Sequence, residues 1–354
     1  MMVFLILAVT SWACILPFSA AGNRDNMTAS NEASLVVPTL ANTPTPQPTP
    51  RRLGNFETLM QNEGAPAGKL RDMWLSADKT LWVTAETGVY IWQDQTWQQL
   101  LDRPANHIWG MDKGGRVWVL LEDGAAVASF ESLRPVVYGP DEGWLPLAPM
   151  APYLRGVGDG MVTDKEGNVW LATGQDDLRR FDPHENTWQR FYSEQIGLTP
   201  AYKMDMETNL ITDVAQDREG NLWVSSCVSS GELLRGQTVQ VYDGSNWRSL
   251  PETHGQCVLD MESTPDGDVW VGGFDALIHY DGISKAWRNI TLPPFQRQQI
   301  VFSIDVDAAQ RPWVEVGLGG GASLWGAAVR YHLEGTQWVE DLNPNAWLLS
   351  YVSF

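Results

Sequence analysis

Six tryptophans set the terms for this chain. Residues 82, 118, 170, 223, 270 and 313 each open a W-[VL]-x stretch behind a short polar turn. The spacings between them are 36, 52, 53, 47 and 43 residues. Asp stands six residues before the anchor at Asp112, Asp164, Asp217 and Asp307, and Gly three before it at Gly115, Gly167, Gly220 and Gly267. The first copy reads as one residue short in this turn, and the last has Gln310 in place of Gly. A second Trp closes five copies, at Trp97, Trp188, Trp247, Trp287 and Trp338, while the second copy offers Phe130. Self-similarity at such a period marks a chain of stacked supersecondary units.

Each copy reads as four strands. An apolar alternating run such as Ile211-Thr212-Asp213-Val214-Ala215 comes first. The D-x-x-G stretch is a hairpin signal, because Asp bonds its own backbone and Gly takes positive φ without strain. The anchor Trp starts the second strand. A third strand ends in an aromatic, as in Leu277-Ile278-His279-Tyr280, and the closing Trp lies in the fourth. No helical period interrupts the run. A four-stranded blade cannot bury both faces alone, and stacked blades need large flat side chains to fill the wedge between twisted sheets. The expectation is an all-β fold, a β-propeller of four-stranded antiparallel blades. Six blades are complete; residues 54–59 and 346–352 resemble lone strands and read as remnants of a seventh. Eleven of the 18 Trp fall at the two repeat positions, so packing accounts for most of them.

The unit D-[KR]-E-G-N-[LV]-W-[LV]-x-[TS], seen at 164–173 and 217–226 and followed by a third strand ending R-F-D or V-Y-D, resembles the two-component regulator propeller repeat. The resemblance extends over about residues 70–342. It implies a seven-bladed extracytoplasmic propeller, often attached to a histidine kinase and often a reader of carbohydrate. It implies no shared catalytic residues. The sequence holds no kinase and no apolar span after the repeats, so binding rather than phosphotransfer is the expectation.

Residues 1–21 read as a signal peptide, with a short apolar core and Ser19-Ala20-Ala21 before the cut. Three outcomes stay open: cleavage after Ala21, lipidation of Cys14 within a degenerate lipobox, or an uncleaved anchor. Residues 22–53 form a Thr/Pro-rich linker, since T-P-T-P-Q-P-T-P cannot pack a core and favours extended polyproline conformations. The propeller occupies 54–354. The chain carries 43 acidic against 24 basic residues, a net charge of −19, which excludes nucleic acid as a partner. Membrane association is expected only through the N-terminus.

Propeller ligands usually sit on the face formed by the loops between second and third strands and by the blade-to-blade loops. Loops carry function on a rigid scaffold. On that face the sequence places Glu86, His107, Asp123, Trp144, Tyr153, Arg155, Asp176, Tyr202, His254, Phe274 and Arg297. Aromatics beside amides and carboxylates suit a sugar, so a glycan, another small molecule or a partner protein is the expected ligand. Residues 227–236 read as a long loop on the same face. Cys227 ends a second strand and Cys257 begins the next first strand, which brings them together in adjacent blades. In an oxidising compartment a Cys227–Cys257 disulfide is the expectation, against two free buried thiols. No G-x-S-x-G, H-E-x-x-H, phosphate-loop or C-x-x-C motif occurs, and the five His do not space as a metal set. A non-catalytic binding module without cofactor or metal is therefore the leading reading. The alternatives are a lyase or hydrolase, similar to streptogramin-lyase-like propellers, or a structural scaffold for protein interactions.

Overall fold

The computed structural model describes residues 60, 62–147, 160–198, 207–230, 233–293, 299–307, 309–318 and 329–341. The signal peptide with Cys14, the linker and both single-strand remnants lie outside them. The described chain folds into six successive antiparallel sheets. Blade 1 contains β1 (Leu70–Leu75), β2 (Leu81–Ala85), β3 (Gly88–Gln93) and β4 (Thr96–Leu101). Blade 2 contains β5 (Ala105–Met111), β6 (Val117–Leu121), β7 (Ala126–Glu131) and β8 (Arg134–Tyr138). Blade 3 contains β9 (Met161–Thr163), β10 (Val169–Ala172), β11 (Asp177–Asp182) and β12 (Thr187–Tyr192). Blade 4 contains β13 (Glu207–Gln216), β14 (Leu222–Ser230), β15 (Leu233–Gly236), β16 (Gln240–Tyr242) and β17 (Trp247–Ser249). Blade 5 contains β18 (Val258–Ser263), β19 (Val269–Gly273), β20 (Ala276–Tyr280) and β21 (Trp287–Asn289). Blade 6 contains β22 (Gln299–Val306), β23 (Pro312–Leu318), β24 (Val329–Glu334) and β25 (Gln337–Glu340). Among the described residues the helical pieces are short 3₁₀ turns such as Glu122–Gly124 and Ser193–Ile196.

The repeat turn has a physical cause that recurs from blade to blade. Asp112 accepts at Oδ1 from the Arg116 N–H (2.9 Å) and at Oδ2 from Arg116 Nε and the Trp118 indole N–H (both 2.8 Å). Asp164 holds Asn168 and Trp170, Asp217 holds Asn221 and Trp223, and Asp307 holds Arg311 and Trp313 in the same way. One carboxylate thus closes the hairpin and aims the anchor Trp. The Gly115, Gly167, Gly220 and Gly267 φ values lie between +78° and +88°, the left-handed region that the turn requires.

The first copy corrects the sequence reading. Its turn has full length: Lys79 N–H donates to Ser76 O and Ser76 N–H to Thr80 O, the pattern of the other copies. Ser76 stands in the Asp position, and Lys79 takes the glycine's place at φ +71°. Gln310 does so in the last copy at φ +60°. A second correction concerns residues 227–236, read as a loop. Cys227–Ser230 continue β14 and Leu233–Gly236 form β15, which pairs with β14 from Cys227 opposite Gly236 to Ser230 opposite Leu233.

Between blades the anchor Trp meets the aromatic that ends the third strand of the next blade. Ring centroids lie 5.4 Å apart for Trp82 and Phe130, 5.1 Å for Trp118 and Phe181, 6.0 Å for Trp170 and Tyr242, and 5.0 Å for Trp223 and Tyr280. Closing Trp residues complete two of these stacks, with Trp188 against Trp118 and Trp287 against Trp223. Trp118, Trp170 and Trp223 are fully buried, a position where truncation to Ala typically costs about 3–5 kcal/mol.

Candidate functional site

The inner strands carry a second repeated device that the sequence reading missed. β1, β13 and β18 each have a bulge, and the residue after it is Asp72, Asp213 or Asp260. A bulge leaves a backbone N–H out of the ladder, and a buried N–H needs an acceptor. Asp72 Oδ2 accepts from Ile108 N–H of the next blade (2.9 Å), Asp213 from Met261 N–H, and Asp260 from Ile304 N–H. Asp72 and Asp213 also take the N–H of their own next residues, Met73 (2.7 Å) and Val214 (2.6 Å). Blades 2, 3 and 6 place His107, Gly160 and Ser303 at this level. His107 Nδ1 lies 2.8 Å from Asp72 Oδ2. Gly160 must lack a side chain, because a Cβ there would stand 1.6 Å from Asp213 Oδ1.

The neighbouring position in blade 5 is Glu262, paired with Trp270 across the strands. Burial, helped by the charges of Asp260 and Asp305, pushes its pKa up to about 8. Arg330 sits on Asp305 at 2.7 Å rather than on Glu262. A raised carboxyl pKa means that the native state holds a proton the unfolded chain has lost. Stability therefore falls as pH rises from about 4.5 to about 8 and levels off above. Glu262→Gln should leave stability at pH 4.5 near wild type and raise it by roughly 1–3 kcal/mol at pH 8.5, as read by urea unfolding. Parallel pH profiles for the two proteins would dispose of this account.

At the loop end, the residues singled out from the sequence are held by their own fold. Glu86 accepts from Lys69 N–H and pairs with Arg71 (3.1 Å). Asp123 and Asn106 exchange two hydrogen bonds. Asp176 is bonded by Ser193 and Asn209, and burial raises its pKa. His254 bonds Thr238 at 3.0 Å and is exposed. Trp144 was expected to meet ligand, and the structure corrects this: it is 0% exposed. Its indole donates to Gly124 O, and its ring packs against Trp188 (5.0 Å) under the Arg179 guanidinium (4.2 Å). Phe274 packs beside Cys227, Cys257 and Ile300. Cys227 and Cys257 are joined as a disulfide, 30 residues apart in sequence, between blades 4 and 5. Tyr153, Arg155, Tyr202 and Arg297 lie outside the described residues.

A cleft opens at the other end, where the inner strands turn into the second strands. It measures about 620 Å³ and runs from blade 2 to blade 5. Met111, Met161, Val162 and Pro265 give it apolar wall; Lys113, Thr163, Gln216, Arg218 and Ser263 give it polar wall. Lys113 ties three blades together, donating from Nζ to Thr163 O (2.7 Å) and Gln216 Oε1 (3.0 Å). Thr163 Oγ1 accepts from Lys113 N–H (3.1 Å), and Ser263 Oγ from Gln216 N–H (2.8 Å). The repeat assigns the residues expected to meet ligand to the opposite face, where propeller ligands usually bind. The available signal was the basic residue after the turn Asp of blades 2, 3 and 4, at Lys113, Lys165 and Arg218.

Among the described residues no helix is long and apolar enough to cross a membrane, and no group of His, Cys, Asp and Glu could hold a metal ion. No curated protein is similar to the chain in sequence. Solved structures resemble it in fold. The extracellular domain of the hybrid two component system BT4673 from B. thetaiotaomicron has a TM-score of 0.55 at 14% identity, covering 81% of this chain and 38% of that one. Virginiamycin B lyase from Staphylococcus aureus has 0.52 at 11%, covering 80% and 85%. The GH74 xyloglucanase from Xanthomonas campestris has 0.54 at 15%, covering 78% and 46%. The chain thus spans well under half of the extracellular domain it resembles. Residues 205–227 match the family model of the Two component regulator propeller. The chain is a β-propeller that carries the two component regulator propeller repeat.

Proposed function

We propose that this protein is an extracytoplasmic, non-catalytic propeller that binds a small molecule. The observation that carries the reading is the turn-end cleft. Its volume of about 620 Å³ falls within the range of small-ligand sites. Its wall mixes apolar and hydrogen-bonding side chains, as such sites do. Its chemistry suits recognition rather than turnover. No His or Glu is among its lining residues, and Asp217 is fixed in its turn by Asn221 and Trp223. Glycoside hydrolysis uses two carboxyl groups facing each other across the scissile bond, and this wall offers one fixed and one exposed Asp. The similar folds span a sensor domain and two enzymes, so fold alone does not decide. The disulfide and the apolar N-terminal segment support an oxidising, extracytoplasmic setting.

The test is a thermal-shift screen of oligosaccharides, peptides and small organic acids, with mass spectrometry of each compound afterwards. A binder present at a hundredfold excess over Kd should raise Tm by about 3 °C or more and remain chemically unchanged. A compound that stabilises the protein and is consumed would overturn the non-catalytic reading. A full panel without a stabilising member would overturn the small-molecule reading.

A further inference from the structure

The cleft draws two cations, Lys113 and Arg218, from one repeat position of the turn. The residue after the turn Asp is Lys113 in blade 2, Lys165 in blade 3 and Arg218 in blade 4. A chain of net charge −19 thus sets three cations in a row at its turn end. Each leans onto the following blade. Lys113 reaches Thr163 O. The Lys165 side chain covers Gly220, where a Cβ would stand 2.4 Å from its Cε. Arg218 lies against Gly267 and donates from Nη1 to Asp266 O (3.3 Å).

A count of hydrogen-bonding groups gives the ligand's polarity. Thr163 and Ser263 each use the hydroxyl oxygen as an acceptor for a backbone N–H. Among the described residues neither donates its own O–H. The Lys113 ammonium has three donors and uses two. The Arg218 guanidinium has five and, among the described residues, uses one. The wall therefore holds a surplus of donors, five of them on two cations, and such donors bond best to an anionic oxygen. Asp217 and Asp266 line the same cleft, so a second negative charge on the ligand would meet repulsion. Met111, which is 45% exposed, with Met161, Val162 and Pro265 offers contact to an apolar body.

Resting on the binding reading above, we infer that the cleft takes a small monocarboxylate with an apolar tail. The carboxylate lies toward Arg218, Lys113 and the Thr163 and Ser263 hydroxyls, and the tail lies on the methionines. Calorimetric titration of the full chain with octanoate, octanamide and suberate tests this, because the three share a chain length and differ in charge. Octanoate should bind at least about tenfold more tightly than either of the others. Arg218→Met should weaken octanoate about tenfold and remove its advantage over octanamide, with thermal unfolding unchanged. Lys113→Met breaks two short bonds, to Thr163 and Gln216, whereas Arg218→Met breaks one long bond, to Asp266 O at 3.3 Å, so Arg218→Met carries the test. Equal binding of octanoate and octanamide, or full octanoate affinity in Arg218→Met, would overturn the inference. If the screen above yields another ligand that Arg218→Met binds as wild type does, the binding reading stands and the monocarboxylate inference falls. If no compound binds, both fall.

Discussion

Asp217→Ala is expected to destabilise the protein by about 3 kcal/mol, although it removes only a small side chain. The carboxylate accepts from the Asn221 N–H, the Asn221 amide and the Trp223 indole, and it is 5% exposed. Removing it strands these donors where water has little access. It also frees the Trp223 ring, whose seat between Tyr280 and Trp287 links blade 4 to blade 5. Trp223→Phe removes the indole N–H and keeps an aromatic, so a double-mutant cycle isolates the link between turn and stack. A coupling of about 1 kcal/mol is expected from urea midpoints. A loss below 1 kcal/mol for Asp217→Ala, or strict additivity in the cycle, would show that the turn and the blade interface are independent.

Removing the Cys227–Cys257 bond should have a similar cost. The chain between the two cysteines spans 30 residues, and closing a loop of that size in the unfolded state is worth about 3–4 kcal/mol. Both residues are buried, and the bond ties the second strand of blade 4 to the start of the inner strand of blade 5. The paired substitution Cys227→Ala with Cys257→Ala should lower the unfolding free energy by about 3 kcal/mol, and reductant should move wild type by the same amount and leave the variant alone. Two reactive thiols in the unreduced, unfolded protein would end this account.

Much of the architecture can be read from the anchor tryptophans, because one carboxylate both closes the turn and aims the ring. Their period alone separates a propeller from other all-β folds. Trp144 misled for a related reason: it lies off the repeat, so it resembled a free aromatic, yet Arg179 and Trp188 enclose it. The first turn misled because Lys79 does the work of a glycine at positive φ, which no composition rule anticipates. The inner Asp positions were open to discovery. Asp72, Asp213 and Asp260 each stand ten residues before an anchor Trp, at 82, 223 and 270. The cleft was harder. Lys113, Gln216 and Ser263 come together only after blades 2, 4 and 5 are placed side by side, and adjacency of that kind is a property of the assembled ring sector.

The bonds from the inner Asp residues run one way along the chain. The acceptor belongs to the earlier blade and the donor to the later one: Asp72 to Ile108, Asp213 to Met261, Asp260 to Ile304. A polypeptide leaving the ribosome N-terminus first therefore presents each carboxylate before the N–H that will need it. As the chain grows from the N-terminal side, blades 2, 5 and 6 each dock onto a receptor already in place. Vectorial synthesis and the direction of these bonds agree.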